Sequence, residues 1–193
     1  MTMKYPLFLL FPFLPFVPVT ASAGETLTID PMHSAVVFSW NHKGMANPVA
    51  RLEKIKGEIV LDTADIARSS VSVVLPLDGL RTGVAPLDRR LLGDEFFDAA
   101  RYPDIVFRST RVAKGPMDTL SVTGDLSVHG VTKQVVLRAK LNRIEPASAD
   151  EGLAAGFEAD TVLRRTDYGV DRYVPAVSDD IHVHLTLEAV QRR

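Results

Sequence analysis

Hydrophobic and polar side chains alternate with a period of two over most of the chain after residue 24. Residues 120–128 read LSVTGDLSV, in which every second position is Leu, Val or Gly and the positions between are polar. This alternation is typical of a β-strand with one dry face and one solvated face. The same period recurs in residues 35–41, 55–62, 71–77, 104–112, 135–141, 157–163 and 181–187. These segments predict an all-β fold, an antiparallel barrel or sandwich of about eight strands.

One segment breaks the period of two. Residues 85–92 place Pro86 where a first helical turn tolerates proline, and Leu87 and Leu91 lie four residues apart, which predicts a short helix. Asp94 predicts a second helical turn over residues 94–99, because aspartate is a preferred N-cap. Such a helical insert either covers one end of a barrel as a lid or forms a surface excursion. The pattern does not distinguish these alternatives.

The N-terminal segment predicts a secretory signal peptide over residues 1–23. Lys4 supplies a positive charge, residues 5–19 are apolar, and residues 21–23 read ASA, the small-x-small pattern of a cleavage site. A membrane anchor is the alternative, but a spanning helix requires roughly 20 apolar residues, and prolines interrupt this shorter run. We therefore expect an exported protein of the periplasm with one domain, residues 24–193, and no further segment able to span a membrane.

Length, charge and cysteine content narrow the class of protein. A chain of 193 residues with 46% hydrophobic residues can form one domain with a sizeable core. Its 22 basic and 24 acidic residues give a formal charge of -2, so it lacks the basic field that nucleic-acid binding requires. The absence of cysteine excludes disulfides, thiolate zinc sites and cysteine nucleophiles.

Motifs of known catalytic chemistry are missing. The sequence contains no Gly-x-Ser-x-Gly, no phosphate-binding Gly-x-x-x-x-Gly-Lys and no Gly-x-Gly-x-x-Gly after a strand. The adjacent acids Asp94 and Glu95 are more typical of a helix cap than of an acid–base pair. His182 and His184 share one side of a strand, a spacing seen in zinc sites, but the apolar residues between them predict that both point to solvent. We expect no enzyme, no metal and no cofactor.

The predicted barrel interior is lined by small and medium aliphatic residues. Phe38, Trp40 and Phe107 are the large exceptions among the inward-facing positions. A barrel of about eight strands is either filled by side chains or holds one small ligand, and residue types alone favour a packed core. His33 and His42 lie near strand ends, so each either borders a barrel mouth or occupies a half-exposed turn.

Five ordered segments resemble the YceI-like polyisoprenoid-binding family. They are residues 30–38 (DPMHSAVVF), residues 82–83 with 88–91 (TG and DRRL), residues 95–98 with 102–110 (EFFD and YPDIVFRST), residues 124–133 (GDLSVHGVTK) and residues 165–169 (RTDYG). The last is a conservatively altered form of its motif. Residues 44–48 and 51–53 depart from the commoner glycine and aromatic pattern at that place. The resemblance runs from about residue 26 to residue 189.

The resemblance implies an extended lipocalin-like antiparallel barrel, exported to the periplasm, with an apolar pocket for a polyisoprenoid or similar amphiphile. It thereby reverses the preference for a packed core, with Phe38, Phe107 and Val122 among the residues expected to contact the ligand. For a pyrophosphate head group, the candidate partners are Arg89, Arg165 and His33. For a quinone ring, Trp40 or Tyr168 could stack on the head group and a hydroxyl could donate to its carbonyl.

Two functions follow from these expectations. The first is a periplasmic carrier or binding protein for an isoprenoid lipid, a quinone or another long apolar molecule. The alternative is a lipocalin-like interaction protein with a closed core that serves a membrane redox partner through its surface. A homodimer is compatible with both. The departure at residues 44–48 leaves the head-group preference open, because that loop could border the cavity entrance.

Overall fold

The computed structural model describes residues 24–117, 119–146 and 152–192. The predicted signal peptide, residues 1–23, lies outside these ranges and stays a prediction. The described strands are β1 (Glu25–Ile29), β2 (Ala35–Ser39), β3 (Val49–Leu52), β4 (Lys56–Leu61), β5 (Ser70–Pro76), β6 (Leu80–Arg81), β7 (Asp104–Lys114), β8 (Leu120–Val128), β9 (Val131–Glu145), β10 (Ala154–Arg164) and β11 (Asp180–Val190). Helix α1 (Ala85–Leu92) lies between β6 and β7.

Eight of these strands close into an antiparallel barrel. Their order is β1, β4, β5, β7, β8, β9, β10 and β11, and the ring closes where β1 pairs with the end of β11. Alternate residues of each strand face inward, as the predicted period requires; on β8, Val122, Leu126 and Val128 are all buried. The all-β barrel prediction is therefore confirmed.

The remaining strands extend the barrel wall at one end. β11 is long enough to pair with β1 near Ala189 and, further toward its own start, with β2 from His182 to Thr186. β2 then pairs with β3, and β3 pairs with β6. The turn between β1 and β2 is fastened to β11, because the Asp30 N–H donates to the Glu188 carbonyl oxygen. β1 and β2 thus pair with the same edge of β11, one after the other.

The helical insert is confirmed in part. Helix α1 spans the residues predicted for it, with Pro86 in its first turn. The second helical turn predicted from Asp94 is wrong, since residues 94–97 form hydrogen-bonded turns. The N–H groups of Phe97 and Ala99 donate to the carbonyl oxygens of Leu91 and Leu92. The segment therefore folds back to satisfy the free carbonyls at the end of α1.

We call the barrel end that carries α1 the upper end. The segment between β10 and β11 lies at the same end, because the Arg90 side chain of α1 donates to the Tyr173 hydroxyl. Residues 62–69, which lead from β4 into β5, lie at the lower end. Among the described residues, no helix has the length and apolar character needed to cross a bilayer.

Candidate functional site

The barrel encloses a cavity of about 490 Å³. Aliphatic side chains from β4, β5 and β7–β11 form most of its wall, and β2 and β3 add to it. Ala139 of β9 and Ala159 of β10 are directly paired on these adjacent strands, and both line the cavity. Small side chains at such facing positions leave the centre of the ring unfilled. The preference for a packed core, drawn from residue types alone, is therefore wrong.

Aromatic rings line part of the wall. The Phe38 ring centroid lies 6.0 Å from that of Trp40 and 6.2 Å, edge-on, from that of Phe97. Phe107 lies over Gly124, where an added Cβ would come within 2.5 Å of the Phe107 Cζ atom. Glycine at this position of β8 therefore makes room for the ring. Phe38, Trp40, Phe107 and Val122, all predicted as ligand contacts, do line the cavity.

Helix α1 lies over the upper end of the cavity. Leu87, Arg90 and Leu91 line the cavity from this side, which favours the lid over the surface excursion. The Arg90 Nη2 atom donates to the Tyr173 hydroxyl at 2.6 Å, and its guanidinium stands over the Tyr173 ring. Glu95 accepts from Arg90 at 3.5 Å. These contacts tie α1 to the segment between β10 and β11.

Arg165 is buried in the cavity wall and is held by the main chain. Its Nε, Nη1 and Nη2 atoms donate to the carbonyl oxygens of Ser178, Val170 and Val177, at 2.8, 2.8 and 3.0 Å. Burial lowers the pKa of the Arg165 guanidinium, and the nearby Asp179 carboxylate opposes this shift. Because all three nitrogens are already engaged, Arg165 anchors the segment before β11. The main chain thereby uses three of the five N–H groups of this guanidinium.

Tyr168 follows Arg165 in the same short turn and also lines the cavity. The residue is 4% exposed. Burial, with a smaller contribution from Asp167, raises the pKa of Tyr168 to about 12. The phenol therefore keeps its proton throughout the physiological range and remains a hydrogen-bond donor.

Two predicted head-group residues lie elsewhere. His33 is exposed in the turn between β1 and β2, with its Nδ1 atom 2.7 Å from the Asp30 Oδ2 atom, and it does not line the cavity. The hydrogen bond to Asp30 raises the pKa of His33. Arg89 is exposed on α1, and its neighbour Arg90 faces the cavity instead. The structure therefore does not bring His33 and Arg89 to the site that holds Arg165 and Tyr168.

The histidines considered as metal ligands lie on the outer face of the barrel. His182 and His184 are exposed, as predicted, and the His184 Nδ1 atom lies 2.9 Å from the Asp160 Oδ1 atom. Among the residues that the structure describes, Asp30, His33 and Glu188 form the group close enough to share a metal ion. That group also lies outside the cavity.

Sequence reasoning missed three polar residues of the upper wall: Lys43, Arg90 and Tyr173. Arg90 carried a usable signal, because it lies three residues after Leu87 and so shares a helix face with it. Lys43 and Tyr173 carried none, since both belong to loops without a hydrophobic period. His42, left open between mouth and turn, also lines the cavity.

Comparison with known proteins agrees with this architecture. The chain is 32% identical over 179 residues to a UPF0312 protein of Vibrio cholerae, which covers 91% of this chain and 92% of the relative. Its fold matches Burkholderia cenocepacia BcnA with a TM-score of 0.75 at 19% identity, over 84% of this chain and 99% of BcnA.

A second solved structure is a polyisoprenoid binding domain from Saccharophagus degradans implicated in plant cell wall breakdown. It matches with a TM-score of 0.66 at 18% identity, over 86% of this chain and 98% of that domain. The model of the YceI-like domain matches residues 27–189, which includes every strand of the barrel except the start of β1 and the end of β11. This protein belongs to the YceI-like family.

Proposed function

We propose that this protein is a periplasmic carrier that holds the apolar tail of an isoprenoid lipid or isoprenoid quinone inside its barrel. The observation that carries the proposal is the cavity of about 490 Å³, whose wall is aliphatic and aromatic except near the barrel ends. Cavities that bind organic molecules combine such a wall with a few polar groups. The Saccharophagus degradans domain of the same fold, described as polyisoprenoid binding, supports the same class of ligand.

The size of the cavity sets the scale of the bound tail. If each methylene-sized group needs about 30 Å³, the volume that one water molecule occupies in the liquid, a cavity of about 490 Å³ holds about 16 such groups. This corresponds to a prenyl chain of about three isoprene units. At about 0.8 kcal/mol for each buried CH₂, the gross gain is about 13 kcal/mol. Association and ordering of the tail then reduce that gain.

The periplasmic location rests on the sequence. Residues 1–23 have the pattern of a secretory signal peptide. The chain contains no cysteine, so it needs no disulfide-forming enzyme in that compartment. A carrier in that compartment would shield a prenyl tail from water between membrane surfaces. The proposal includes no catalytic step.

The test is to identify what the protein carries. The full chain is expressed with its own leader, purified from the periplasmic fraction, extracted with organic solvent and analysed by mass spectrometry. The proposal predicts a stoichiometric prenyl species in the extract. The test variant is Val122→Phe, which reduces the cavity and should lower the extracted amount. An extract without any prenyl species from folded protein would overturn the proposal and favour the surface-interaction alternative.

A further inference from the structure

Two hydrogen-bond donors in the cavity wall have no partner among the described residues. The Tyr168 side chain makes no hydrogen bond, since only the Tyr168 carbonyl oxygen is engaged, by His129. The Trp40 indole N–H makes none either, since only the main-chain N–H of Trp40 donates, to Pro48. Both residues line the cavity and are more than nine-tenths buried, with exposures of 4% and 8%.

The two unpaired donors are not fully enclosed by protein atoms. Within the described residues, no fully enclosed side-chain nitrogen or oxygen is left without a partner. The Tyr168 hydroxyl and the Trp40 indole nitrogen must therefore retain accessible surface. Both residues line the cavity and are only 4% and 8% exposed in total, so we assign that surface to the cavity. A buried donor without an acceptor costs free energy unless a bound molecule supplies one.

Both donors belong to the upper end of the cavity. Ser178 connects them: its N–H donates to the carbonyl oxygen of Asn41, which follows Trp40, and its own carbonyl oxygen accepts from Arg165. Arg165 and Tyr168 are the two ends of one short turn. Ser178 therefore hydrogen-bonds both to the residue after Trp40 and to Arg165, which lies three residues before Tyr168.

Among the described residues, the charged side chains that line the cavity are basic. The Arg165 guanidinium is buried there, and its hydrogen bonds go to carbonyl oxygens rather than to a carboxylate. In the described part of the chain, no Asp or Glu lines the cavity. The described wall therefore presents two donors and no carboxylate to the ligand. This combination favours an oxygen that carries partial negative charge and accepts hydrogen bonds.

We infer that Tyr168 and Trp40 determine head-group specificity by donating hydrogen bonds to a carbonyl oxygen of an uncharged head group, such as a ketone, quinone, amide or ester. The inference rests on the proposed carrier function. An uncharged head group fits better than a phosphate, because Tyr168 and Trp40 are neutral donors and the main chain already engages three of the five Arg165 N–H groups. Tyr168 remains protonated, so its hydroxyl is available to donate.

The experiment compares two probes that differ in one group. One is a prenyl methyl ketone, and the other is the hydrocarbon in which a CH₂ replaces its carbonyl; both displace diphenylhexatriene from delipidated protein. The wild-type protein should bind the ketone about tenfold more tightly, as one or two net hydrogen bonds allow. Tyr168→Phe and Trp40→Phe should each reduce that ratio toward one while leaving the hydrocarbon affinity nearly unchanged.

The matched control is Tyr102→Phe. The Tyr102 ring packs against His129 at 5.0 Å between centroids and does not line the cavity. Removing its hydroxyl should leave the ketone-to-hydrocarbon ratio at the wild-type value. Each of the three variants removes one hydrogen-bond donor and keeps an aromatic ring, so a general loss of fold would affect both probes together and would not change the ratio selectively.

Infrared spectroscopy of a ¹³C-labelled ketone gives a second readout. In the wild-type protein the bound carbonyl stretch should lie below its value in hydrocarbon solvent, and Tyr168→Phe should move it back toward that value. Equal affinities for the two probes, or a carbonyl stretch at the hydrocarbon value, would overturn the inference and leave the carrier function intact. Failure of both probes to displace diphenylhexatriene would contradict the carrier function itself.

Discussion

Replacing Val122 by phenylalanine should weaken binding of a prenyl ligand by about a hundredfold. Val122 is buried on β8 and lines the cavity. Phenylalanine adds four carbon atoms, which at about 30 Å³ each remove roughly 120 Å³, about a quarter of the cavity of about 490 Å³. Displacing four methylene-sized groups of the tail loses about 3 kcal/mol, which corresponds to about two decades in the dissociation constant.

The single tryptophan provides the assay. Trp40 is the only tryptophan in the chain and lines the cavity, so a prenyl quinone bound there should quench its fluorescence. Delipidated wild-type and Val122→Phe proteins are titrated with the same short-chain prenyl quinone. The matched control is Val136→Phe on β9, where the side chain is exposed on the outer face. This control should bind the quinone with wild-type affinity.

Two results would refute the reasoning. If Val122→Phe is folded by circular dichroism and binds the quinone as tightly as the wild type, the tail does not occupy the barrel interior. If Val136→Phe weakens binding while Val122→Phe does not, the quinone binds to the outer face of the sheet.

Three further predictions concern stability. Arg165→Met should lower the free energy of unfolding in urea by roughly 3 kcal/mol, because it leaves one buried and two half-buried carbonyl oxygens without a donor; an unchanged value would contradict the anchoring role. Gly124→Ala should cost about 1–3 kcal/mol in the same assay, since its Cβ would overlap Phe107; wild-type stability would show that the ring moves freely. Hydrogen bonds, chiefly from the Asp65 N–H and also from Arg68, hold the pKa of Asp62 below its ordinary value of 3.8. Their stabilisation is present above that pH and is lost as pH falls through the lowered pKa. The free energy of unfolding of Asp62→Asn should therefore fall less steeply below pH 4 than that of the wild type. Parallel pH profiles of the two proteins would contradict this prediction.

The strands with a clear alternation were predictable, although β9, β10 and β11 extend up to four residues beyond their predicted ends. Residues 120–128 were predicted as a strand and form β8, while residues 85–92 were predicted as a helix and form α1. β1, β3 and β6 were not predicted. β3 and β6 have four and two residues, too few to establish a period. Their conformation is set by hydrogen bonds to partner strands, which are remote in the sequence.

The candidate site was predictable to a smaller extent. The alternation that defines a strand also decides which residues face inward, so Phe38, Phe107 and Val122 could be assigned to the interior. The head-group residues could not be assigned in this way. Arg165 looked like a candidate for phosphate, but three carbonyl oxygens from residues 170–178 engage it.

Local patterns in the chain determine its strands, its helix and the side of each strand that is apolar, because these depend on neighbours two to four residues away. The closure of the ring through β1 and β11 depends on residues about 160 positions apart in sequence. That closure sets the width of the barrel, and the width decides whether inward side chains fill the interior or leave a cavity. The unpaired donors of Trp40 and Tyr168 likewise exist only because the folded chain brings no acceptor to them.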